Sequence, residues 1–141
     1  MTLTFSASAQ RNAYGREAVL SATPARLLTM LYDRLLVDLG RAQVAQNGQD
    51  WGTASTNLVH AQAIIAELSS SLRMDVWDGA SDLQALYTYV RVAMVNANVH
   101  RDVKLTSECI TLLEPLRQAW HEAAAQAPAA SPLLSGSVGV A

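Results

Sequence analysis

Cysteine occurs once in this 141-residue chain, at Cys109, so no intramolecular disulfide can form and a reducing compartment suits the composition. Charge is equally scarce: 16% of the residues are charged and the formal net charge is −2. Lys104 is the sole lysine and the arginines stand scattered, with no basic run, so a surface that tracks the phosphates of a nucleic acid is not expected. No run of about eighteen apolar residues suggests a membrane span or direct membrane insertion. The first ten residues lack a basic stretch followed by an apolar one, which argues against a cleaved secretion signal. A cytoplasmic location is the expectation.

The chemistry of most enzymes is also missing from the text. There is no glycine-rich phosphate loop and no G-x-S-x-G. His60, His100 and His121 are far apart, without a ligand at helical spacing and without a Glu-x-x-His pair, so neither a metal nor any other cofactor is implied. Cys109 falls on an apolar helical stripe with no nearby cation, which reads as a buried, inert thiol. His60 lies off the seam of its helix, as a phosphotransfer histidine would. Its surroundings offer no lysine or glycine to receive a phosphoryl group, so that alternative is weak and no enzyme is expected.

What is present is helix. Half of the residues are hydrophobic, too many for a largely disordered chain, and the length suits one domain with a real core. Thr23-Pro24 makes a strong start for the first helix: Thr23 can accept from a free amide, and Pro24 suits the first helical position. At about 100° per residue, Leu28, Leu31, Leu35 and Leu39 fall on one stripe, and Met30, Val37 and Val44 fall nearly opposite. A simple bundle helix needs one apolar face. The second is explained either by a helix sandwiched within its own domain or by a groove that receives another chain.

The first helix should run to about Gln46, where Asn47-Gly48 supplies a stop through the left-handed freedom of glycine. Asp50 can cap a second helix whose seam is Trp51, Ala54, Leu58, Ala61, Ile65, Leu68 and Leu72. Met74 to Ala80 reads as a connection. Ser81 or Asp82 should cap the third helix, with Leu83, Leu86, Val90, Ala93 and Ala97 as its seam, Tyr87 and Met94 widening it, and Tyr89, Val92 and Val99 forming a second stripe. Asp102 should cap the fourth, carrying Leu105, Cys109, Leu112, Leu116, Trp120 and Ala123. Pro115 lies inside it and predicts a kink, after which the last turns would veer from the bundle. No stretch shows strand alternation. The expected fold is all-α, an antiparallel up-down four-helix bundle over residues 21–125. A mobile, flexible N-terminal arm precedes it over residues 1–20, and a disordered tail follows over residues 126–141.

In this order, the residues resemble the flagellin-specific export chaperone family, FliS. Ala22-Thr23-Pro24 with Leu27-Leu28 and Met30-Leu31-Tyr32-Asp33 carries the strongest likeness, with Thr23 replacing the usual serine. Ala63-Ile64-Ile65 with Glu67-Leu68 follows, then Leu83 with Ala85-Leu86-Tyr87 and Tyr89. Ala97-Asn98 with Asp102, and Leu116-Arg117 with Ala119-Trp120, complete the series, and Tyr14 stands where the family has an N-terminal tyrosine. The likeness covers about Tyr14 to Glu122. Two departures are clear: Asp78-Gly79-Ala80-Ser81 replaces a Gly-Gly-Glu-Ile-Ala turn, and Arg91-Val92 replaces paired arginines.

The resemblance implies a non-enzymatic, ATP-independent helical bundle in the cytoplasm. It would bind the C-terminal segment of newly made flagellin, prevent premature polymerisation and deliver it to the type III export gate. Partner-binding residues under this reading are Tyr14, Met30, Tyr32, Val37, Val44, Tyr87, Arg91 and Asn98. The arm would lie over the groove before flagellin arrives, with Tyr14, Val19 and Leu20 on apolar surface. The competing class is a regulatory adaptor that binds an anti-sigma factor or the export-gate membrane protein as its main task.

Overall fold

The computed structural model describes residues 24–72 and 78–126. Four helices account for nearly all of them: α1 (Pro24–Asn47), α2 (Trp51–Ser70), α3 (Ala80–Val99) and α4 (Val103–Gln126). They form an antiparallel bundle in which α1 packs between α2 and α4, and α3 closes the diagonal. The expected all-α, up-down architecture is what the chain adopts. The arm, the tail and the Thr23 cap lie outside the described residues.

The two short turns at one end are built alike, and here the glycine expectation needs correction. Gly48 does not take a left-handed conformation; Gln49 does, with φ 57°, and Arg101 matches it in the other turn with φ 53°. Gly48 N–H still bonds the Val44 carbonyl at 3.1 Å, which carries helical backbone through the glycine and passes the reversal to the next residue. In each turn the following aspartate returns its own N–H to the helix just left: Asp50 to Ala45 at 2.8 Å and Asp102 to Ala97 at 2.9 Å. Both then cap the next helix as expected, Asp50 accepting from Thr53 N–H at 3.2 Å and Asp102 from Lys104 N–H at 2.9 Å. Arg101 lies over the Trp51 ring, 5.0 Å from its centroid, so one turn braces the other.

Helix α3 starts at Ala80, two to three residues earlier than a Ser81 or Asp82 cap would have it. Gly79 is its flanking residue and, being glycine, offers no side-chain cap, while Ala80 is fully buried in the core. Helix α4 continues to Gln126 through Pro115, and its last turns do not veer away. Trp120 meets Tyr32 with ring centroids 6.4 Å apart, and Arg117 and His121 both reach Asp33 on α1. These contacts hold the segment after the proline on the bundle.

The core is apolar along its length, built on Leu35, Leu39, Leu58, Ile65, Val90, Met94 and Leu113. Two polar links cross it. Tyr32 and Tyr87 join hydroxyls at 2.6 Å between α1 and α3. Near the turn end, Gln46 donates to the Ala97 carbonyl at 3.1 Å and accepts from Thr106 Oγ1 at 2.6 Å, so one buried amide links α1, α3 and α4. With both groups of the amide used, its burial is not penalised.

Candidate functional site: two apolar outer faces

Leu35, Leu39 and Ala42 point to the core, so the same helical period turns Met30, Val37 and Val44 outward. Val37 is 44% exposed and Val44 72%, while Met30 is half-buried. No described element covers this face, so the sandwiched-helix explanation does not hold among the described residues. Between the two valines, Gly40 is open: a Cβ added there would meet nothing within 4 Å.

Both carboxylates flanking this face are turned aside. Asp38 is fully buried; it accepts from Arg34 Nε at 3.0 Å and makes a short hydrogen bond with His60 of α2. Asp33 sits on the α4 side, where Arg117 donates at 3.1 Å and His121 lies at 2.6 Å. Partial burial would raise the Asp33 pKa, but the hydrogen bonds and positive charge of His121 and Arg117 outweigh it and hold the carboxyl below its ordinary value. Glu114 is likewise lowered, chiefly by its hydrogen bond from Arg117. His60 is therefore occupied by a buried acid.

A second outer face lies on α3. Thr88, Val92, Val95 and Val99 recur at alternating four- and three-residue steps, the spacing of a helix-packing seam. All are exposed, Val92 at 56% and Val99 at 66%. The sequence pattern had pointed to Tyr89, Val92 and Val99; Tyr89 stands apart, donating to both carboxylate oxygens of Glu108 at 2.9 Å. Val95 was missed, though its spacing from Val92 and Val99 would have found it. Beside this seam, between α2 and α3, Ile65, Ser69, Arg91, Val92 and Val95 line a groove of about 320 Å³.

Other expected contact residues are placed differently. Tyr32 and Tyr87 are buried side chains of the core, so their described role is to hold α1 against α3 rather than to face outward; Tyr87 borders the α2–α3 groove only from within. Asn98 is half-buried and donates to Ser55 of α2 at 3.1 Å. Arg91 is exposed. Tyr14 lies outside the described residues. At the end of the bundle away from the short turns, a cleft of about 400 Å³ opens among Leu27, Leu31, Leu72, Leu83, Tyr87 and Trp120.

Cys109 is buried, its thiol directed at the Val90 carbonyl at 3.7 Å, and burial pushes its pKa up to about 12, which keeps it protonated and unreactive. Among the described residues, no group of acids, histidines and cysteine is arranged to hold a metal, and no helix is long and apolar enough to cross a membrane.

A family model described as Flagellar protein FliS matches residues 6–127. The Flagellar secretion chaperone FliS of Bacillus subtilis (strain 168) is 33% identical over 111 residues, covering 79% of this chain and 83% of the relative. That of Escherichia coli (strain K12) is 31% identical over 110 residues, covering 74% and 79%. A solved structure described as a flagellar chaperone from bacteria superposes with a TM-score of 0.66 at 19% identity, covering 81% of this chain and 96% of the other; at that identity the likeness speaks for the fold.

Proposed function

This chain belongs to the FliS family of flagellar secretion chaperones, and on that premise we propose that it binds the C-terminal segment of flagellin in the cytoplasm. It prevents that segment from polymerising prematurely and delivers it to the type III export gate, without catalysis and without ATP.

The observation that carries the reading is the pair of uncovered faces on α1 and α3, the helices on the diagonal of the bundle. With helix axes about 8–10 Å apart, these faces look away from each other across the molecule. A folded globular partner would reach one of them. A flexible segment can reach both by laying helical turns on one face, crossing a neighbouring helix, and continuing on the other. Its ordering entropy is then offset by the extended apolar area it covers. Met30, Val37 and Val44 form the contact on α1. Arg91, with Val92 and Val95, forms the contact on α3.

The direct test is binding of full-length flagellin and of flagellin lacking its C-terminal segment, by pull-down and calorimetry. The truncated protein should lose binding. Retained binding would sink this reading and favour the adaptor class.

A further inference from the structure

The apolar row on α1 is bordered by charged groups on both edges, and the two edges differ. Along the edge facing α2 stand Arg34 and Arg41, seven residues apart, the same step that separates Met30, Val37 and Val44. Arg34 is half exposed although it reaches Asp38. Arg41 is exposed and makes no ion pair among the described residues. His60 of α2 continues this edge with a half-exposed ring. The acid nearest the row is Asp38, and it is buried beneath Arg34 and His60. On the opposite edge, Asp33 is held by Arg117, which also pairs with Glu114, and by a hydrogen bond with His121. The face is thus an apolar strip whose α2 border carries Arg41, without an ion pair among the described residues, beside the Arg34–Asp38 pair, and whose α4 border carries Asp33, Arg117 and Glu114 paired among themselves.

We propose that this face receives one helical stretch of the partner segment, whose apolar residues recur every seven positions and whose carboxylates line one flank to meet Arg34 and Arg41. The inference deepens the proposed function and rests on it: the occupant is part of the flagellin C-terminal segment. Met30 and Val44 stand two seven-residue steps apart, about four helical turns, so the matching stretch is about 14 residues, or about 21 Å of helix. Gly40, open midway along the strip, lets the partner helix approach closely. Carboxylates on the α2 side fix the direction in which that helix lies, because reversing it would carry them to the Asp33 edge. The arrangement is the flank-charge logic of a two-helix seam, with all the positive charge on this chain.

Calorimetry with the flagellin C-terminal segment and the full chain tests it. Arg41→Ala should weaken binding by about two- to fivefold, as for a charge at the rim of an interface, and Arg41→Glu by about tenfold or more. Raising the salt should weaken the wild type more than Arg41→Ala. Replacing the facing carboxylate of the segment by lysine should restore binding to Arg41→Glu. If Val37→Asp abolishes binding while Arg41→Glu and salt change nothing, the α1 face is used but the acidic flank is wrong. If neither variant affects a segment that binds, the segment lies elsewhere and the proposal fails while the chaperone reading stands. A segment that does not bind the wild type overturns both.

Discussion

The hydroxyls of Tyr32 and Tyr87 meet at 2.6 Å across the diagonal of the bundle, joining two helices that are not packed side by side. Burial raises the pKa of both phenols, and for Tyr87 the hydrogen bond to Tyr32 raises it further, so both stay neutral through the physiological range. Replacing Tyr32 by phenylalanine leaves the buried Tyr87 hydroxyl without the partner it has here. Tyr32→Phe should therefore lose about 1–3 kcal/mol in urea unfolding, whereas the double Tyr32→Phe/Tyr87→Phe chain should lose less than the sum of the two single variants. Additive losses would show that the pair is not coupled.

Acid should weaken the α1–α4 edge through Asp33. Its folded-state pKa lies below the ordinary 3.8 because His121 and Arg117 outweigh its burial. A group with a depressed folded pKa contributes stability that is complete above the unfolded value and vanishes as pH falls through the folded one. The melting temperature of the wild type should fall below about pH 4, and Asp33→Asn should flatten that part of the profile while lowering the neutral plateau. Parallel profiles for the two chains would refute the assignment.

Gln49 holds a left-handed backbone at φ 57°, a conformation in which a Cβ is strained and glycine is not. Gln49→Gly should raise stability by about 0.5–1 kcal/mol. The matching change at Arg101 should gain less, because it also removes the guanidinium lying over Trp51. Thermal denaturation of the two variants side by side reads the difference.

Val37 and Leu35 are two residues apart on α1, one 44% exposed and the other fully buried. An aspartate at Val37 stays in water, so Val37→Asp should leave the melting temperature within a few degrees of wild type and abolish flagellin binding. An aspartate at Leu35 would be an unpaired charge in the core, and Leu35→Asp should unfold the chain. A large loss of stability in Val37→Asp would place that side chain in an interior contact.

The helices were readable because their apolar residues keep a helical period that the packing uses directly. Leu35, Leu39, Leu58, Ile65, Val90 and Cys109 are all where that period puts them. Asp50 and Asp102 were legible because a capping carboxylate acts on amides two or three residues away. What could not be read depends on which contacts win, within a turn as well as between distant parts of the chain. The left-handed residue falls at Gln49 and not at Gly48 because the Asp50 N–H must return to Ala45. Helix α4 keeps its course after Pro115 because α1 supplies Asp33 and Tyr32 to hold it. The α1 face was legible as a second stripe, yet the tyrosines looked like contact residues until their hydroxyls were seen to face each other. A tyrosine at helical spacing fits a core or a surface equally well, and only its partner decides.

The twin turns give the bundle a mechanical direction. Both hairpins close at one end, where Gln46 links three helices and Arg101 rests on Trp51. At the other end, α1 begins and α4 finishes side by side, secured by Asp33 with Arg117 and His121, and an open cleft lies between Leu27 and Leu31 of α1 and Trp120 of α4. Tension applied to the chain beyond those two helices would therefore peel α1 from α4 one turn at a time, instead of shearing all their contacts at once. The zipper starts at Asp33 and stops at Gln46. Force gathers on a few side chains, and the bundle would yield readily to a pull from that end.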